Sequence, residues 1–417
     1  MYKGAQEINR AANLNLPRFE RALNWGKSMA IINRFAEILS EISTWRRNIH
    51  AYPELRFQEH RTAAFVASKL KEFGCNEVVE GFGETGVVGV IQGKCNSSGK
   101  IIGFRADMDA LPIQEVNDLP HASTVPGKMH ACGHDGHTSM LLGAAKYLAE
   151  TRNFDGKVLL AFQPAEEGGG GARAMIDAGL MESWNVSEIY GMHNMPGLPV
   201  GEFAVRNGPQ MASPDKFEII VRGLGGHGAM PHKGVDTTLV ASQIVVALQS
   251  IASRNVNPIE NIVISVCSFH TETDTYNVIP ETVHMRGTVR TFKPEVQQLV
   301  RARIDDLVTR MAASYGAAAE VIHFSGPPAL INHTTEADLA AEVALAVCGV
   351  AHRDIEPTMG GEDFSEMLFE RPGAYLFIGN GNSADLHNPF YEFNDEVIPF
   401  GCSWFVTMAE SRLPIEL

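Results

Sequence analysis

Two hydrophobic periods alternate along the first half of the chain. Short unbroken apolar runs, as in KIIGFRADMDALP (100–112), GKVLLAFQPAEE (156–167) and SEIYGMHN (187–194), take turns with stretches whose apolar residues recur every three or four positions, as in HTSMLLGAAKYLAE (137–150) and ARAMIDAGLM (172–181). The first kind reads as buried strands and the second as helices. Their alternation predicts an α/β fold with a central, mostly parallel sheet flanked by helices. Three of the apolar runs stop at polar residues: Asp107 and Asp109, Glu166 and Glu167, and His193. In open α/β sheets ligands gather outside the carboxyl ends of the strands, so these side chains are expected to share one crevice.

The pattern changes after residue 213. A strand in KFEIIVRG (216–223) precedes a helix in TTLVASQIVVALQSIASR (237–254); two strands follow in ENIVISVCSFHT (260–271) and ETVHMRGTVRTF (281–292), then a helix in PEVQQLVRARIDDLVTRMAASYG (294–316) and a strand in AAAEVIHFSG (317–326). The order β-α-β-β-α-β predicts an α+β, ferredoxin-like unit over 214–326. Sheet-like text resumes at GAYLFIGNGNSADLHN (373–388), so this unit is read as an insertion into a discontinuous catalytic domain made of 29–213 and 327–417. Residues 1–28 read as a polar N-terminal extension.

Composition narrows the function. The 417 residues are 45% hydrophobic and 20% charged, as in a soluble globular protein, and the formal net charge is −15. That excess of acid argues against nucleic acid and anionic membranes, whose binding depends on clustered Lys and Arg, and favours small-molecule partners. There is no apolar run of transmembrane length, and MYKGAQEINR is not ordered like a secretion signal; a cytoplasmic location is expected. The six cysteines are scattered rather than spaced as a disulfide framework. GFGETG (81–86) matches a dinucleotide fingerprint, but VVGVIQG follows it where a helix is required, so it is read as a glycine-rich hairpin turn.

The chemistry concentrates in MHACGHDGHTSM (129–140). Cys132 and His134 flank one glycine in a loop before a helix, which lets both side chains face one centre. Glu167, His193 and His387 arise from other strand-end loops. Five donors exceed a closed tetrahedral site and suit one expanded or two adjacent catalytic ions. The donor types suit zinc or manganese first, with cobalt or nickel also compatible. Glu166, beside Glu167 in the turn PAEEGGGG, is read as the general base that takes a proton from water. Asp107 and Asp109 are read as ligands or as residues that orient the ligands, and His137 as a packing or capping residue.

These motifs resemble the M20 metallopeptidase family, in its amidohydrolase branch of hippurate hydrolases, N-acyl-amino-acid amidohydrolases and auxin-conjugate hydrolases. RADMDALP, MHACGHDGHT, FQPAEEGGGGA, GMHN, GGHGAMPH, YNVIPE, GGEDFS and LHNP stand in family order between residues 45 and 401. The resemblance implies a di-metal site with Cys132, His134, Glu167, His193 and His387 as ligands, Glu166 as base and Asp109 as an orienting carboxylate. Asp107 stands where many relatives carry a histidine, which leaves its role as a ligand open. The resemblance also implies a homodimer or higher homo-oligomer that pairs through the inserted domain. His227 would then steady the oxyanion in the partner's site, with Asn277 as a nearby polar contact; a surface histidine and a turn residue are the alternatives. Arg290 is a candidate for a substrate carboxylate, and Gly360 and Gly361 for the acyl pocket. The implied reaction is hydrolysis of N-acyl amino acids. A dipeptidase and an N-acetyl-diaminopimelate-type deacetylase are the rival activities, and a non-catalytic metal-binding homologue stands behind both.

Overall fold

Both faces of the central strands are apolar, and both are covered. In the computed structural model, which describes residues 31–415, the chain first lays down strands β1 (Glu77–Phe82), β2 (Gly86–Gln92), β3 (Ile101–Asp107), β4 (Lys157–Gln163), β5 (Glu188–Pro196) and the short β6 (Phe203–Ala204). It then leaves to build a second sheet from β7 (Ser213–Arg222), β8 (Val263–Thr271), β9 (Thr282–Thr291) and β10 (Ala318–Phe324), and returns with β11 (Ala351–His352) and β12 (Gly373–Gly381). The large eight-stranded sheet has the order β1-β2-β4-β3-β5-β12-β6-β11. Its centre, β4-β3-β5-β12, is parallel; β1, β2 and the β12-β6 pair are antiparallel. The segment 1–28, read above as an extension, lies outside the described residues.

Alternation within β4 shows how the two layers form. Val158, Leu160 and Phe162 join one cluster with Phe35 and Ile42 of helix α1 (Asn33–Ala51), Leu70 of α2 (His60–Glu72) and Leu141 of α3 (His134–Thr151). Leu159 and Ala161 point the other way, onto Met175 of α4 (Gly171–Asp177) and, further along the chain, Phe364 and Met367. A strand covered on both faces must be apolar at every position, which is why its sequence runs on without alternation.

The second sheet has the order β8-β9-β7-β10, antiparallel throughout. Here β7 alternates buried and more exposed positions, so only one face is packed. Phe217, Ile219 and Val221 pack with Ile244 and Leu248 of α5 (Thr237–Ser250) and Val300 and Ile304 of α6 (Pro294–Ser314), giving this sheet its own core. The remaining long helices, α7 (Thr334–Cys348) and, after the short α8 (Phe364–Glu370), α9 (Ile398–Arg412), return to the large sheet.

Local glycine geometry moved several boundaries. GFGETG closes the β1-β2 hairpin as read. The helix read over ARAMIDAGLM breaks in two, because Gly179 takes φ +97° and stops it. Helix α3 begins at His134, so this residue sits in the first turn rather than in the preceding loop; Gly133, at φ +86°, turns the chain one residue earlier. His193 lies inside β5 rather than at its end, because pairing with β12 carries the ladder on to Pro196. Among the described residues no helix is long and apolar enough to cross a membrane.

Candidate metal centre

Four chain segments meet above the carboxyl edge of the large sheet. Cys132 precedes α3, and His134 opens it. Gly133 between them admits no larger residue: a Cβ there would lie 2.2 Å from Asn194 Nδ2 and 2.6 Å from the Tyr391 hydroxyl. Asn194 Nδ2 donates to the Cys132 carbonyl at 2.6 Å, tying the loop to β5. The His387 loop is fastened by its amide, which donates to the Ala131 carbonyl at 2.8 Å, and His387 itself takes φ +63°. Glu166 and Glu167 follow Ala165, another residue at positive φ, whose amide donates to Glu59 Oε1 at 2.9 Å. Two left-handed, non-glycine residues at one site mark strain held in place by the surroundings.

Overlapping groups of donors result: Cys132, His134 and His193; Cys132, Glu167 and His387; His134, Glu166 and Glu167; and Asp107, His134 and His137, each with its donor atoms within 4.8 Å of one another. Cys132 is the shared corner of the first two. Its Sγ lies 3.3 Å from His193 Nε2, and His387 Nε2 lies 3.1 Å from Glu167 Oε1.

Hydrogen bonds set which imidazole nitrogen faces the centre. His134 Nδ1 meets only acceptors, the Asp109 carbonyl at 2.8 Å and Asp109 Oδ1 at 3.2 Å, so it carries the proton and leaves Nε2 free. His193 Nδ1 likewise donates to the Asn194 carbonyl at 2.6 Å. His137 differs. Its Nε2 accepts from the Asn194 amide at 2.9 Å and its Nδ1 donates to Asp107 Oδ1 at 2.6 Å, which occupies both nitrogens. Asp107 is occupied too, since its other oxygen accepts from Arg105 at 2.7 Å. Asp109 accepts the amides of Glu166 and Glu167, each at 3.0 Å, and so orients the two glutamates as well as His134.

The residues fit divalent cations. His134 Nε2 is buried without a hydrogen-bond partner and faces the shared centre. Buried polar atoms are seldom left so, and an ion is one standard remedy. Electrostatics agree. Burial alone would lower His134, yet Asp107 and Asp109 raise it to about 10, while burial and then Glu167 and Glu166 push the Cys132 thiol up. A pocket this rich in negative potential favours a cation.

A second buried network lies beneath Glu166. Arg105 Nη2 donates to Glu362 Oε1 at 2.8 Å and Asp363 Oδ1 at 3.2 Å, and its Nε donates to Gln163 at 2.8 Å. The Tyr375 hydroxyl adds a bond to Glu362 at 2.5 Å. Glu166, Glu362 and Asp363 crowd within 4.8 Å, so burial and these neighbours raise Glu166, and Asp363 rises to about 8 despite Arg105. The reading of the sequence missed this network. GGEDFS drew attention through its glycines, and no periodicity links Arg105 to partners 257 and 258 residues away.

It also missed His50. Under α3, His50 Nδ1 lies 2.9 Å from Asp135 Oδ2 and its Nε2 3.3 Å from Glu115 Oε1. Burial would lower its pKa, but Asp135 and Glu115 hold it up to about 9. An unfolded histidine titrates near 6.5, so this pairing stabilises the fold fully below about pH 6.5 and is lost as pH rises to about 9. Urea unfolding at both ends of that window is expected to show wild type losing up to about 3 kcal/mol more than His50→Gln. Parallel pH profiles would contradict the assignment.

The other expected site residues lie outside these groups. His227 and Asn277 are neighbours, since Gly226–His227 forms a short ladder with Val278–Ile279 and the Gly228 amide donates to the Asn277 carbonyl at 2.7 Å; both residues are exposed. Arg290 on β9 is partly buried, with Nη1 unpartnered. The Gly360 carbonyl accepts the Ala212 amide at 2.9 Å, and Gly361 lies against Pro214, where a Cβ would come 2.5 Å from Cγ.

The model for peptidase family M20/M25/M40 matches residues 103–411, across both sheets and every segment of the centre. The chain belongs to this family. It is 42% identical over 383 residues to a hippurate hydrolase from Campylobacter jejuni subsp. jejuni, covering 91% of this chain and 99% of the relative. It is 40% identical over 365 residues to an N-acetylcysteine deacetylase from Bacillus subtilis, covering 87% and 94%. A solved Bacillus subtilis structure, described as a dinuclear metal-binding peptidase of the M20 family, superposes with a TM-score of 0.79 at 36% identity, covering 91% of this chain and 99% of that one.

Proposed function

We propose that this M20-family chain hydrolyses the amide bond of N-acyl amino acids, giving a carboxylic acid and a free amino acid. The observation that carries the proposal is the convergence of Cys132, His134, Glu167, His193 and His387 on one centre with Glu166 beside them. In this reading Cys132, His134, Glu167, His193 and His387 would hold two divalent ions between them. Bound there, they supply Lewis acidity that acidifies water and polarises the amide carbonyl. The names of the aligned relatives, a hippurate hydrolase and an N-acetylcysteine deacetylase, support the same substrate class.

The chain's own groups then carry the proton. Glu166 takes it from water and returns it to the leaving amine, and a carboxylate whose proton affinity is raised by burial and by neighbouring acids suits both roles. Asp109 keeps Glu166, Glu167 and His134 in register through the four bonds described above. We assign residues 214–326 as the inserted unit through which two subunits pair. His227, with Asn277 beside it, extends from there to the partner's site to hold the developing oxyanion, and Arg290 receives the substrate carboxylate. Gly360 and Gly361 belong to the acyl pocket, and the location is cytoplasmic. A panel of hippurate, N-acetyl amino acids and dipeptides, assayed on freshly purified protein, tests the substrate class. Turnover of dipeptides alone would overturn it.

A further inference from the structure

Successive amides in the turn that carries Glu166 and Glu167 end on carboxylates. The Glu166 and Glu167 amides donate to Asp109, each at 3.0 Å, and the Ala165 amide donates to Glu59 Oε1 at 2.9 Å. Asp109 also meets His134 and so is part of the centre, whereas among the described residues Glu59 joins none of the donor groups. Glu59 stands immediately before α2 and is fully buried. Its second oxygen accepts the Thr85 hydroxyl at 2.5 Å, and Thr85 lies in the glycine-rich turn of the β1-β2 hairpin.

The segment that leads into α2 makes two more contacts of this kind. The Glu54 carbonyl accepts the amide of Ala110, next to Asp109, at 2.8 Å. Arg56, whose side chain is exposed, donates from Nη1 to the Glu167 carbonyl at 3.1 Å. Glu59 and Arg56 therefore grip the turn at its two ends, at the amide before Glu166 and at the carbonyl after Glu167. The turn needs such a hold. Ala165 keeps a left-handed φ of +52°, a conformation that persists in a non-glycine residue only where the surroundings impose it. Four glycines, 168–171, follow Glu167 and leave the backbone free to rotate. The turn's own bonds, from the Gly169 and Gly171 amides to the Ala165 carbonyl at 3.2 Å each, shape it without tying it to another element.

We infer that Glu59 and Arg56 are positioning residues for the reaction: they aim Glu166 and Glu167 by fixing the backbone on either side of the pair, and touch neither substrate nor ion. The consequence for turnover rests on the amidohydrolase reading proposed above. Proton transfer needs the base within hydrogen-bonding reach of its water, and a small misplacement of a reacting group is costly.

Hydrogen–deuterium exchange read by mass spectrometry on the full chain, together with hippurate kinetics at saturating metal, tests the inference. In Glu59→Ala, faster exchange confined to 164–171 is expected, with kcat lowered about 10–100-fold and KM within about twofold of wild type. Glu59→Gln still offers the Ala165 amide a carbonyl oxygen and is expected to recover most of both losses. Arg56→Ala is expected to change in the same direction but less, by about threefold in kcat, because the other end of the turn stays held. Its exposed side chain makes it the deciding variant if melting shows that Glu59→Ala does not fold. Wild-type exchange across 164–171 in the folded variants, exchange that rises over the whole chain, an unchanged kcat, or a loss that Gln does not recover would each overturn the inference. Exchange needs no turnover, so it decides on the hold of the turn even if wild type cleaves none of the amides, a result that would reject the amidohydrolase reading alone.

Discussion

Replacing Glu166 by Gln is expected to lower kcat by about 10²–10⁴-fold, the range for loss of a general acid–base group, with metal content unchanged. Gln keeps the size and shape of the side chain but has no carboxylate to accept a proton. It also removes one of three acids crowded within 4.8 Å, so the variant is expected to be at least as stable as wild type. Lost activity together with retained stability separates a proton-carrying role from a structural one, because a structural residue would lose both. Steady-state kinetics, elemental analysis and urea unfolding on the same preparation provide the comparison, and wild-type-like turnover would reject the role.

The largest loss of stability is expected at Arg105. Its guanidinium is fully buried and reaches Asp107, Glu362 and Asp363, which together form the floor of the centre. Arg105→Met fills a similar volume but leaves buried carboxylates without their cation, and breaking such pairs costs about 3–5 kcal/mol. Arg105→Lys keeps the charge but not the planar fork that reaches three acids at once, so it is expected to fall between. Denaturant midpoints measure both. A Met variant within about 1 kcal/mol of wild type would mean that the acids satisfy one another by sharing protons.

The two variants also show what the sequence carried. Local order was readable: unbroken apolar runs for strands covered on both faces, helical periods for the covering layers, and the element order β-α-β-β-α-β for the second sheet. Cys132 and His134 were readable because a single glycine separates them, and Glu166 and Glu167 because they are adjacent. Apart from Asp109, the side chains that steady these residues were not. Arg105 finds its acids across 257 residues, and His50 finds Asp135 across 85. Such pairs are made by the packing of strands and helices distant in sequence and leave no spacing to read. His193 was placed at a strand end because the sequence shows where an apolar run stops, not how far a neighbouring strand extends the ladder.

The most direct test of the account is turnover of hippurate measured against bound metal. Chelated protein is titrated with zinc or manganese, and metal per chain is read by elemental analysis. The account predicts no hydrolysis without metal and full activity as loading approaches two ions per chain. Undiminished hydrolysis by metal-free protein, or a fully loaded chain that cleaves none of the amides in the panel, would contradict it.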